Sequence, residues 1–313
     1  MNKVYLIGII LLCPFFLAAW GFHAHRLINL NAIYTLPQPL NIFFKRYSNQ
    51  IREMAINADK RVYVDPDEAV RHYINLDLHS LPTDSLMVPW YKIKKRKDKQ
   101  QILQKGILPW QIDLTYQKLV SAYKQYNTQA ILRHASDLGH YIADAHVPLH
   151  TTSNYNGHLT GQPGIHALWE TRIPELFSKD YNFLVGSASY IDDIKSYTWQ
   201  TILDSHAALD SVLLLEKRLS EQIPSYQQKA YHQRGNTINY SYSNFYVHAY
   251  HQRMNGLVER QMRKSVHALG SMWFSAWVDA GQPNIHLSPK IPQTKDTVSV
   301  KHLNTHLHRE EWH

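Results

Sequence analysis

Residues 134–170 read HASDLGHYIADAHVPLHTTSNYNGHLTGQPGIHALWE, and the rest of the chain is best read outward from them. The stretch holds His140, Asp144, His150, His166 and Glu170, with His134, Asp137, His146 and His158 interspersed. His140 and Asp144 stand four residues apart, and so do His166 and Glu170. On a helix that spacing sets both side chains on one face, about one turn apart, where they can share an ion. One such pair is weak evidence. Two pairs joined by a loop that carries another histidine point to a metal cluster.

The composition agrees. The chain of 313 residues contains 20 histidines, its most unusual feature. A hydrophobic content of 44% supports a sizeable core. The formal charge of +8 favours anionic partners such as nucleic acid, phospholipid head groups or anionic cell-surface polymer. A generally basic surface is the plain alternative. Lys3, the apolar run 4–17 and the small pair Ala18–Ala19 read as an export signal over 1–19. The run is too short and badly flanked for a membrane span. A lipoprotein reading through Cys13 is disfavoured by the bulky Leu12 before it. The mature chain is therefore expected to start at Trp20 and to be periplasmic or secreted. Cys13 is the only cysteine, so that chain has neither disulfide nor thiolate ligand. A metal site must then use histidine, carboxylate and backbone groups.

Hydrophobic periodicity predicts helices over 27–34, 41–60, 112–126, 129–144, 172–177, 187–216, 219–228 and 245–279. Asp59 falls at the C-terminal end of the 41–60 helix, where the helix dipole disfavours a carboxylate and a cation would help. Residues 92–99 (KIKKRKDK) are a dense basic run, read first as a solvated helix start and second as a phosphate patch. Residues 236–244 read as a polar, tyrosine-rich loop. His248, His251 and His267 read as surface or packing residues. Strand-like alternation is scarce. No glycine-rich phosphate loop or G-x-S-x-G elbow occurs, so nucleotide-cofactor and serine-hydrolase readings lack support. The expectation is an all-α, multi-helical single domain over 20–283. A polar, disordered tail with His302, His306, His308 and His313 follows over 284–313.

The pieces WGFHAHR, NADKR, RHYIN, HYIADAHVPLH and GIHALWE occur in order from Trp20 to Glu170. Together they resemble the superfamily of zinc-dependent phospholipases C and single-strand-specific zinc nucleases. The resemblance implies an all-helical fold with three zinc ions at the base of a cleft. It implies one zinc on Asp59, His72, His140 and Asp144, and a second on His150, His166 and Glu170. The third would use His25, Asp144 as a bridge, and the free amine and carbonyl oxygen of Trp20, made available by signal cleavage. It further implies phosphodiester hydrolysis, with Asp59 orienting or deprotonating the attacking water. Tyr73 and Asn75 are the candidate substrate-binding residues, and Arg26, Lys60 and Arg61 are candidate phosphate contacts, each with a surface salt bridge as alternative.

Details of the match divide between the two arms. Glu170 and the segment HYIADAHVPLH look like the phospholipase arm. The histidine five residues after Trp20 follows the nuclease arm, and Ala143 replaces the glycine common before the bridging aspartate. The expectation is an exported, monomeric zinc phosphodiesterase, phospholipase C-like. The alternative is a single-strand endonuclease or 3'-nucleotidase with the same site. A non-catalytic, metal-stabilised helical binding module is the rival of another class.

Overall fold

Helix formation begins earlier than periodicity suggests. In the computed structural model, which describes residues 21–79, 85–234 and 237–285, α1 (Phe22–Ala32) follows Gly21 directly and carries His25 in its first turns. A tighter turn, Ile33–Thr35, ends it before the prolines Pro37 and Pro39. The expected signal over 1–19, Trp20 and tail residues 286–313 lie outside the described residues.

The helix expected over 41–60 is three: α2 (Leu40–Arg46), α3 (Ser48–Met54) and α4 (Asn57–Arg61). The breaks fall at Tyr47 (φ −111°, ψ 18°) and Ile56 (φ −105°, ψ 8°). Asp59 therefore stands in the first turn of α4, not at a C-terminus. The dipole argument is reversed there: the helix end beside Asp59 favours a carboxylate. Two short segments, α5 (Trp90–Ile93) and α6 (Lys99–Gln104), flank the basic run.

Two longer helices form the centre, α7 (Leu108–Lys124) and α8 (Thr128–Ala145). Asn127 caps α8, its side chain accepting the Ala130 amide at 3.0 Å. Gly139 on α8 lets α1 approach closely. A β-carbon there would come within 2.3 Å of Asn29 Oδ1. That contact lies one residue before His140 and four after His25. It is what allows the two imidazoles to stack, their ring centroids 3.9 Å apart.

Beyond α8 come α9 (Ile165–Ala167), a π-helical turn at Leu168–Arg172, and α10 (Ile173–Phe177). The helix expected over 187–216 divides into α11 (Ile194–Ala207) and α12 (Leu209–Gln222). Its first residues are extended and satisfy their backbone on a neighbouring helix: Ser189 N and Ile191 N donate to Ser271 Oγ and Ser275 Oγ at 3.1 and 2.9 Å. After α13 (Ser225–Gln228), β1 (Lys229–Arg234) and β2 (Thr237–Tyr242) pair antiparallel, so part of the tyrosine-rich segment read as loop is strand.

The last long helix is also two, α14 (Asn244–Arg253) and α15 (Leu257–Asp279). They part at Asn255 (φ 46°) and Gly256 (φ 73°). α15 packs on α1, α7 and α8. Its Trp273 is fully buried, lies flat against Phe44 with centroids 4.5 Å apart, and donates to Ala135 O at 3.1 Å. Truncating such a side chain costs about 3–5 kcal/mol. The described residues are thus all-α apart from one hairpin. Among the described residues no helix is long and apolar enough to cross a membrane.

Candidate metal centre

Eight side chains from six parts of the chain converge around α8. His25 comes from α1 and Asp59 from α4. His72 follows the tight turn Ala69–Arg71, and His140 and Asp144 come from α8. His150 stands in the turn Pro148–Thr151. His166 and Glu170 lie on α9 and the π-helical turn, a local widening that recurs at functional sites. Glu170 remains 12% exposed and the others are nearly sealed from solvent.

The atoms form adjoining groups. In the first, His140 Nε2 lies 3.3 Å from Asp59 Oδ1, 3.0 Å from His72 Nδ1 and 3.4 Å from Asp144 Oδ2. His72 Nδ1 lies 3.0 Å from Asp144 Oδ2 and 3.9 Å from Asp59 Oδ1. A tetrahedral ion with bonds of about 2.0–2.1 Å sets its ligand atoms about 3.3–3.4 Å apart. The five distances scatter around that edge: Asp59, His72 and His140 form one group that could hold a small cation, and Asp144 joins His140 and His25 in an adjoining one. In the second group His150 Nε2 is 3.1 Å from His166 Nε2 and 3.3 Å from Glu170 Oε2, and His166 Nε2 touches the same oxygen. Among the described residues these are three protein donors, and an ion held by them would have a fourth coordination position for water or substrate.

His25 stands between the groups. Its Nε2 is 3.5 Å from Asp144 Oδ1 and 3.6 Å from Glu170 Oε1. Each carboxylate therefore turns one oxygen to His25 and the other to a neighbouring group. That is a bridging arrangement for Asp144. Glu170 shares it, although the resemblance implies Glu170 at one site only. His25 Nδ1 is buried and has no hydrogen-bond partner among the described residues. Gly21 lies at this corner, where a β-carbon would meet Glu170 Oε1 at 3.0 Å and His25 Cδ2 at 3.5 Å.

The surroundings orient the imidazoles and keep them neutral. His140 Nδ1 donates to Ala55 O at 2.8 Å and His150 Nδ1 to His72 O at 2.6 Å, so both present Nε2 lone pairs inward. Burial pushes His72 and His140 down to about 4, and also lowers His25, which keeps the rings neutral and able to bind metal. Burial raises Asp59. It would raise Glu170 too, but His166 and His150 hold that carboxyl well below its ordinary range. Three carboxylates buried among neutral rings are costly without a cation. These buried groups could hold metal ions.

Sequence reasoning passed over what stands behind His72. Glu68 is fully buried, with Oε1 3.6 Å from His72 Nε2. It accepts Tyr141 Oη at 2.5 Å and Arg61 at 3.2 Å, and it touches Arg71. Burial alone would raise this carboxyl, but His72, Arg61 and Tyr141 outweigh it and hold it far below its usual range. The signal was the four-residue interval from Glu68 to His72, the same interval as in the two recognised pairs.

Other candidates have these surroundings. Arg61 is tied to Asp137 at 2.9 Å and Arg26 to Glu53 at 2.8 Å, the salt-bridge alternative for both. Lys60 is exposed. Tyr73 and Asn75 are each 7% exposed, and Tyr73 packs within the apolar core. His146 is buried and donates from Nδ1 to Ile142 O at 2.8 Å. His158 is exposed, and His251 stacks on Phe177 with centroids 4.0 Å apart. Trp20 and the tail histidines lie outside the described residues. Neither the protein-family models nor the curated proteins yield a match to this chain.

Proposed function

We propose that the chain is an exported, zinc-dependent phosphodiester hydrolase of phospholipase C type. The observation that supports this most is the sharing of carboxylates between adjoining groups of buried N and O donors: Asp144 offers one oxygen to His72 and His140 and the other to His25. The donor chemistry suits zinc. A purely structural site is closed by protein ligands, whereas among the described residues the His150, His166 and Glu170 group supplies three. That open position favours catalysis over a metal-stabilised binding module.

One ion would sit on Asp59, His72, His140 and Asp144, and another on His150, His166 and Glu170. A third would take His25 and Asp144, with the Trp20 amine and carbonyl completing it after signal cleavage. Bound zinc supplies positive charge against the phosphodiester anion and makes water acidic enough to ionise near neutrality. The chain does the rest. Neutral His72 and His140 fix the donors, and Glu68 braces His72 from behind. Asp59, its carboxyl raised by burial, would accept the proton of an attacking water.

The test is elemental analysis of the mature protein, followed by parallel assays on phosphatidylcholine, single-stranded DNA and RNA, with Asp144→Ala as control. The expected result is at least two bound zincs, release of a phosphorylated head group, and loss of metal and turnover in the variant. Fewer than two zincs, or full turnover in Asp144→Ala, removes the proposal. Cleavage of DNA or RNA in place of lipid moves it to the nuclease alternative.

A further inference from the structure

The hairpin of β1 and β2 has two unlike faces. The register pairs Lys229 with Tyr242, Tyr231 with Tyr240, and Gln233 with Ile238, which sets these six residues on one side. The other side carries Ala230, His232, Asn239 and Ser241. Tyr242 roots the first face: it is 5% exposed, stacks on Tyr246 with centroids 5.1 Å apart, and shares the buried Glu216 with it. Outward from that root the face opens to solvent. Tyr240 is 60% exposed, Ile238 72% and Tyr231 76%. Tyr226 and Phe245, just outside the strands, are also largely exposed.

An isolated two-stranded hairpin is marginally stable, and one that leaves its apolar face in water gives up its main source of stability. The face is therefore best explained by something that covers it. Charge narrows the choice. No aspartate or glutamate occurs over residues 222–258, whereas Lys229, Arg234 and Arg253 do. Lys229 Nζ stands 5.3 Å from the Tyr242 ring. The cover is therefore anionic on its surface and apolar beneath. Tyr231 and Tyr240 lean on each other at 44° with centroids 5.0 Å apart, which leaves no flat slot for a stacked base. Exposed Ile238 suits hydrocarbon, and tyrosines suit the head-group layer.

The hairpin also stands beside the metal centre. The Tyr242 hydroxyl donates to Pro163 O at 3.4 Å, and a β-carbon on Gly164 would touch the Tyr242 ring at 3.4 Å. Gly164 precedes α9, which carries His166. We infer that the aromatic face of this hairpin docks on an anionic phospholipid surface and presents the metal centre to it. The inference does not depend on the hydrolase reading, since docking needs no turnover.

The test is sedimentation of the full-length mature protein with phosphatidylcholine vesicles, with and without phosphatidylglycerol. Released head-group phosphate is measured separately, so docking and hydrolysis fail independently. Wild type should pellet with the anionic vesicles. Tyr231→Ser/Ile238→Ser/Tyr240→Ser should partition about tenfold more weakly or less, with its circular dichroism and zinc content unchanged. Ile238→Trp, a mild change at an exposed position, guards against misfolding of the triple variant. Its emission should shift blue on anionic vesicles and be quenched by brominated lipid. Absence of that shift, or equal pelleting by wild type and triple variant, overturns the inference. So does loss in the triple variant of single-stranded DNA binding alone, which assigns the face to nucleic acid. Conversion from dimer to monomer without loss of vesicle binding assigns it to a second copy and likewise overturns it.

Discussion

Glu68 is not itself a proposed ligand, yet it decides how His72 is held. It stands 3.6 Å behind His72 Nε2, while Nδ1 faces Asp59 and Asp144. Partners of this kind orient a ligating imidazole and raise its basicity, and their loss typically lowers metal affinity about 10–100-fold. Glu68→Gln should weaken zinc retention by that order in a chelator competition, with the fold intact by circular dichroism. Unchanged affinity would make Glu68 a structural anchor for Arg61 and Arg71 only. His134 gives a second expectation. Burial, with Arg133 and Lys118 nearby, holds it down at about 4 from an ordinary 6.5. The unfolded chain therefore takes up its proton first as pH falls. This contribution to stability is complete above pH 6.5 and is lost as pH falls towards about 4. Denaturant unfolding of His134→Gln should show a shallower decline over that window than wild type. At this scale the ligand spacing is legible because helix periodicity is local. Glu68 is not, because its interval to His72 crosses a tight turn rather than a regular helix.

Elements depend on ties that run between them. Glu216 on α12 is buried and receives Gln162 at 2.5 Å and Tyr246 at 2.7 Å, with Tyr242 at 3.4 Å. It thereby joins α12 to the loop before α9, to β2 and to α14. Glu216→Ala leaves these buried donors unmatched and should cost about 2–3 kcal/mol. Urea unfolding measures this, and a loss under about 0.5 kcal/mol would show that the donors find other partners. Element boundaries were the least legible part of the sequence. The division between α3 and α4 falls in MAINAD, which contains neither glycine nor proline, and tertiary packing sets it. The division between α14 and α15 does carry a signal, the Asn255–Gly256 pair, but an apolar stripe running through both sides masks it. The hairpin is hidden because its alternation is tyrosine against polar residues, and most of its apolar face, Tyr231, Ile238 and Tyr240, is exposed.

At the scale of the molecule, the all-α class is legible from long periodic segments and the scarcity of alternation, and the histidine excess is legible from composition. How the parts of the centre meet is not, since His25 and Glu170 are far apart in sequence and meet through the packing of α1 against α8 and the π-helical turn. The buried carboxylates beneath that packing repel one another unless a cation stands between them. Exhaustive chelation should therefore lower the melting temperature by at least several degrees, and zinc should restore it. Identical melting curves before and after chelation would mean that the imidazoles and carboxylates satisfy each other alone.

Asp144 has one more consequence, for the order of loading. Its Oδ2 serves His72 and His140 while its Oδ1 serves His25, so no ion can enter either side without fixing the rotamer that the other needs. The first ion bears the ordering entropy, and the second finds the carboxylate already placed. Uptake should be cooperative, passing from empty to doubly filled with little singly loaded species in native mass spectrometry at substoichiometric zinc. A statistical ladder of intermediates would show that the two sides fill independently.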